Sequence, residues 1–134
     1  MNTITIENDM TFIYVEATSF PDGVMESWNE LHRIIPFNSE RVYVGLSRPE
    51  GNKGIVYKAC ALILNTDETT FGLQQIALLK GDYFSEEYPD YMKDLQKIGT
   101  IFHSMLSSPE IDPEGYCVEW YLGKEDLRCM VKIK

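Results

Sequence analysis

Little in this sequence is suited to holding a metal, a phosphate or a catalytic triad. It has only two histidines, His32 and His103, and three cysteines, Cys60, Cys117 and Cys129. There is no CxxC pair, no His/Cys cluster with zinc spacing, and no HExxH, GxSxG or Walker loop. Both histidines fall on the polar side of predicted helices, which assigns them to the surface. Gly45, Gly51 and Gly54 lie between two strand segments with no helix behind them, so they read as turn glycines and not as a phosphate cradle. No metal and no cofactor is expected. The odd cysteine count argues against a disulfide framework and for reduced, packed thiols.

Positive charge is also scarce. Lys and Arg number 12 against 21 Asp and Glu, a formal net charge of −9. A field of that sign repels phosphate backbones and anionic headgroups, so direct nucleic-acid binding and membrane-surface binding are not expected. No apolar run approaches the roughly 18 residues that span a bilayer. Met1 to Thr5 shows neither a basic nor an apolar leader region. The default expectation is the cytoplasm.

What is present is globular. In 134 residues, 44% are hydrophobic, 25% charged and 12% aromatic, with eight tyrosines. That length suits a single domain over residues 1–134. Val24, Met25, Trp28, Leu31, Ile34 and Ile35 recur by threes and fours, which predicts a helix over residues 22–35, stopped by Pro36. A second apolar stripe, from Tyr88 through Tyr91, Met92, Leu95, Ile98 and Phe102 to Leu106, predicts a helix over 86–106, with Ser85 as cap and two acids in its first turn. Strands are predicted over 11–18, 41–46, 55–64, 71–79, 116–122 and 127–133, with residues 3–6 as an extension of the first. The order β-α-β-β occurs twice, over residues 10–64 and 71–134. A spacing of 64 residues pairs Phe20 with Phe84, Leu31 with Leu95 and Ile34 with Ile98. The expected fold is α+β: duplicated β-α-β-β units forming an antiparallel sheet, two helices on one face, and a ligand cleft on the pseudo-twofold seam.

Tyr116 to Leu122 is the chemically informative stretch. Alternation puts Tyr116, Val118, Trp120 and Leu122 on one face and Cys117, Glu119 and Tyr121 on the other. The first set is a core face. The second places a carboxylate in the middle of an apolar strand. Either that face is solvated and Glu119 is an ordinary surface acid, or Glu119 floors an aromatic cleft and offers its charge to a cationic or hydrogen-bonding ligand.

Glu119-Trp120-Tyr121, followed after a short turn by Asp126 to Ile133, resembles the carboxy-terminal signature of the GyrI-like small-molecule-binding domains. Trp28 and Leu31 on the first helix fit the same pattern. So do Arg41 to Leu46, the Pro- and Gly-bearing turn after them, and Tyr57-Lys58-Ala59-Cys60. The resemblance runs from about residue 10 to 134. It implies the duplicated β-α-β-β fold and a ligand site whose glutamate is Glu119 and whose aromatic neighbour is Tyr121. By topological position, Trp28, Tyr43 and Phe102 are candidate pocket walls, with Tyr57, Met130 and Cys117 as further candidates. The family contains effector-binding domains of transcription regulators, gyrase-modulating proteins and hydrolases of cyclopropane-bearing toxins. The resemblance therefore implies binding of small organic ligands, aromatic and possibly cationic, as a sensor or sequestering domain. Its alternatives are hydrolysis with Glu119 as general base, or contact with a topoisomerase. No helix-turn-helix precedes residue 10, so a transcriptional role is expected to need a DNA-binding partner.

Overall fold

The computed structural model describes the chain except for Thr66 and Glu68. Eight strands join one antiparallel sheet: β1 Asn2–Ile6, β2 Met10–Glu16, β3 Tyr43–Pro49, β4 Ile55–Leu62, β5 Gln74–Leu78, β6 Gly81–Tyr88, β7 Cys117–Leu122 and β8 Asp126–Lys132. Their spatial order is β1-β6-β8-β7-β3-β4-β2-β5. The two helices are α1, Val24–Ile34, and α2, Gln96–Leu106. The fold is α+β, with the sheet curled into a half-barrel.

Each face of the sheet has its own core. One face gathers Phe12, Leu46, Cys60, Leu78, Tyr83, Val118 and Met130, and all eight strands contribute to it or pack against it. Period-two alternation then sends the intervening side chains to the other face, where the helices lie. Leu31 and Ile35 of the α1 segment pack there on Ile13, Tyr57, Ala59 and Ala61. Ile101, Phe102 and Met105 of α2 pack on Leu127, Cys129 and Val131.

The predicted first helix forms, two residues shorter at its start and one at its end. The second does so only in its last half. Residues 81–88 are instead strand β6, hydrogen-bonded to β1 on one side and β8 on the other. Ladder pairing with β8 runs through Glu86, Glu87 and Tyr88 and takes the place of local helical bonds there, and Ser85, read as a cap, is buried within the strand. β1 does not extend β2. It pairs with β6 at the far edge of the sheet. The predicted strand over 71–79 begins only at Gln74, because Phe71 and Gly72 both have positive φ.

The duplication has a different register from the one the phenylalanines indicated. Burial along the two helices matches when Val24 is set on Ile98, Ser27 on Ile101, Trp28 on Phe102 and Leu31 on Met105 (105 − 31 = 74). Phe84 lies in strand β6, whereas Phe20 lies in the turn before α1, so those two are not equivalent. The two halves meet where β3 pairs with β7, and there Gly45 stands directly opposite Glu119.

Candidate functional site

Glu119 projects from the middle of β7 toward the helix-bearing face. Its Oε1 accepts hydrogen bonds from the hydroxyls of Tyr121 at 3.0 Å and Tyr57 at 3.2 Å. The Tyr57 hydroxyl in turn accepts the Trp28 indole N–H at 2.9 Å. A chain of donors thus runs from α1, through β4, to the carboxylate on β7. Oε2 receives no hydrogen bond from the described residues, and Glu119 as a whole is half-buried, so this oxygen keeps some access to solvent. No Lys or Arg pairs with Glu119 among the described residues.

Gly45 makes this arrangement possible. A Cβ there would lie 2.2 Å from the Tyr57 hydroxyl, 2.8 Å from its ring carbon and 2.9 Å from Glu119 Oε1. Gly45 is therefore no turn glycine. It lies inside β3, paired on both sides, and its missing side chain is the space the tyrosine and the carboxylate occupy.

Aromatic rings surround the carboxylate. Trp28 meets Tyr121 edge-on at 5.3 Å, Tyr91 approaches Tyr121 at 5.9 Å, and Phe20 stacks on Tyr57 at 6.0 Å. Phe20 remains 44% exposed, so it lies at the rim. Tyr121 packs against the clusters of both helices and marks the seam between them.

Burial raises the Glu119 carboxyl above its ordinary value, and the hydrogen bonds from Tyr121 and Tyr57 oppose that shift. Burial, followed by the charge of Glu119, pushes both tyrosines far above the usual phenol range, so they stay protonated as donors. The same two causes push Cys117 up to about 11, which keeps it a thiol at neutral pH. The arrangement is a desolvated negative charge, steadied by neutral donors, with one oxygen open and π-faces around it.

The sequence-predicted residues divide into four groups. Glu119, Tyr121, Tyr57 and Trp28 come together in one hydrogen-bonded set. Cys117, two residues before Glu119 on the same face, and Phe102 on α2 share the second helix's cluster with Tyr121. Tyr43 stands one layer back, edge-on to Trp28 at 6.3 Å, and its hydroxyl accepts the Asn38 backbone N–H. Met130 lies on the opposite face beside Val118 and takes no part. Its strand alternates, and the register that sets Glu119 opposite Cys129 turns Met130 away.

Sequence reasoning overlooked Gly45, Phe20, Tyr91 and His32. A glycine within an alternating strand is itself a sign of close approach. His32 is only half-exposed. Its ring packs against Trp28, Phe37 and Tyr43, its Nδ1 is buried without a partner, and burial lowers its pKa. His103 is exposed as expected. Among the described residues no group of His, Cys, Asp or Glu has the geometry to hold a metal, and no helix is long and apolar enough to cross a membrane.

The fold is shared with solved structures of low sequence identity. An integron cassette protein from the mobile metagenome of Vibrio cholerae matches with a TM-score of 0.70 at 13% identity, over 99% of this chain and 95% of that one. SAV2435, solved bound to tetraphenylphosphonium, matches with a TM-score of 0.67 at 11% identity, over 99% and 93%. A hydrolase from Listeria innocua matches with a TM-score of 0.60 at 8% identity, over 99% and 90%. No protein-family model matches the chain, and no curated protein matches it in sequence. The class these likenesses define is an α+β fold that accommodates small ligands in at least one of its members.

Proposed function

We propose that this chain is a small-molecule-binding module of the GyrI-like effector-binding type, which takes aromatic organic cations at Glu119. The observation that carries the reading is the carboxylate itself: desolvated, held by two tyrosine hydroxyls, paired with no cation among the described residues, and open at Oε2. Such a charge destabilises the protein unless something offsets it, and a cationic ligand does so. The rings of Trp28, Tyr57, Tyr91, Tyr121 and Phe20 add stacking and cation–π attraction, worth about 0.5–2 kcal/mol per well-placed ring. The tetraphenylphosphonium bound by a structural neighbour has this chemistry: one delocalised positive charge within apolar rings. Phe20, 44% exposed and stacked on Tyr57, is the ring of this set that a ligand entering from solvent would meet first.

The experiment is calorimetric titration of wild type and Glu119→Gln with tetraphenylphosphonium and with tetraphenylborate, which has nearly the same shape and the opposite charge. Wild type should bind the cation and reject the borate. Glu119→Gln should lose at least about tenfold in cation affinity, the worth of one charge-assisted contact. Equal affinity for both ions in wild type, or no loss in the variant, would overturn the reading.

The hydrolase among the structural neighbours favours a second reading. With its pKa raised and Oε2 open, Glu119 could take a proton from water attacking a strained electrophile such as a cyclopropane-bearing toxin. Turnover lost in Glu119→Gln supports it. Binding without turnover across such a panel counts against it.

A further inference from the structure

The sheet face away from the helices carries a second, independent set of features. A cavity of about 280 Å3 opens there, beside the edge strand β5 and the inner-face side chains of β3, β6 and β8. Ile76, Leu78 and Leu79 form an apolar wall, and Leu79 is left 50% exposed at its rim. Arg48 and Lys132 line the same cavity, against a single carboxylate, Glu114. The Arg48 guanidinium lies 4.1 Å above the Tyr116 ring. Its Nε reaches Glu50 at 3.3 Å and its Nη1 donates to the Glu114 carbonyl at 2.7 Å. Nη2 has no partner among the described residues and is not buried. Lys132 Nζ donates only to the neighbouring Ile133 carbonyl at 3.1 Å and makes no ion pair among the described residues.

We propose that this cavity is a second ligand site, for an amphipathic organic anion. Its apolar body lies on the Ile76 to Leu79 wall, and one carboxylate or sulfonate lies between Arg48 and Lys132. A chain of net charge −9 repels anions over most of its surface. Arg48, ion-paired with Glu50 through Nε but with Nη2 free, and Lys132 beside an apolar wall are the local exception. The Tyr116 ring already fixes the guanidinium plane, so little side-chain freedom is lost when the anion docks. The volume falls just below the roughly 300–1,000 Å3 of drug-sized pockets, which suits a one- or two-ring body. The two sites lie on opposite faces of the sheet and select opposite charges.

The test uses anilinonaphthalene sulfonate, whose emission rises and shifts blue on binding, with the intact chain. Wild type should bind one equivalent, and Glu119→Gln should bind it equally well. Leu79→Glu places a carboxylate at the rim, and Lys132→Gln removes one cation. Each should weaken the dye about tenfold, with the far-UV spectrum and melting transition retained. Leu79 is half exposed, and Lys132 Nζ makes a single hydrogen bond, to its neighbour's carbonyl, so neither change removes a buried contact of the core. Unchanged affinity in both variants overturns the proposal. So does dye displaced by tetraphenylphosphonium or lost in Glu119→Gln, which places it in the other cleft, and so does failure of folded wild type to bind it.

Discussion

Lys58 and Glu119 are two sequestered charges on opposite faces of one sheet, and their surroundings differ in kind. The Lys58 side chain, on β4, is 7% exposed. Its Nζ lies 3.4 Å from Glu50, 3.8 Å from Glu16 and 3.5 Å from the Tyr116 hydroxyl, with the rings of Tyr14 and Tyr116 above it. Burial acts to lower its pKa, but Tyr116 and Glu50 overcome that and hold it above the ordinary value. Glu119 has two neutral hydroxyls and no cation. Its pKa moves in the direction that disfavours its charge. A sequestered charge that serves only the fold is answered by its neighbours, as Lys58 is. On the proposed reading, one left unanswered is the place where a ligand completes the set.

Perturbing the Glu119 side at its tightest point gives the largest expected effect. Gly45→Ala drives a methyl group into the Tyr57 hydroxyl and Glu119 Oε1. Overpacking of this kind costs about 2–3 kcal/mol, read by urea unfolding, and tetraphenylphosphonium should no longer stabilise the variant. A loss below about 0.5 kcal/mol would show that Tyr57 has room to move, and that the network is looser than its distances. On the other face, Lys58→Met should cost about 1–2 kcal/mol. That is less than breaking a fully buried pair, because Glu16 and Glu50 retain access to water once the lysine is gone. The distinguishing outcome is ligand response: Lys58→Met should keep the cation affinity of wild type, since its cluster lies behind the sheet. A parallel loss of stability and cation binding would erase the distinction between the faces.

The sequence disclosed these two regions unevenly. The α1 stripe and the β7 alternation were legible because both are local periodicities bounded by clear stops. Those two elements bring Trp28, Glu119 and Tyr121 together. Tyr57 was placed on the right strand, but its hydroxyl bond to Glu119 depends on the β3–β4 and β3–β7 registers, which are pairings between distant segments. The same dependence turned Met130 to the wrong face. β6 was misread because its acids suit a helix start, whereas its two strand partners lie far away in sequence. Gly45 was legible in principle, as a lone glycine in an alternating strand. His32 was not: its aromatic surroundings come from Phe37 beyond the helix end and Tyr43 on β3.

The smallest effect is the sharpest test of the comparison, because its sign differs from the others. Glu119→Gln keeps the shape of the side chain and removes its capacity to ionise. A glutamate whose folded pKa is raised contributes its full relative stability below the unfolded value near 4.5, and loses it as pH rises through the folded value. In acid, wild type and variant should therefore unfold alike. As pH rises past the raised pKa, the wild type carries an unanswered charge and the variant does not. Glu119→Gln should then become the more stable protein, and the gap should level off once Glu119 is fully ionised. Tetraphenylphosphonium should reverse the order, because the cation offsets the cost that the free protein bears, and its binding should release protons near the raised pKa. The measurement is a series of urea unfolding curves against pH, with and without the cation. A wild type that is more stable than Glu119→Gln at neutral pH without ligand would mean that the tyrosine hydrogen bonds outweigh the desolvation of the carboxylate. Glu119 would then be an answered charge like Lys58.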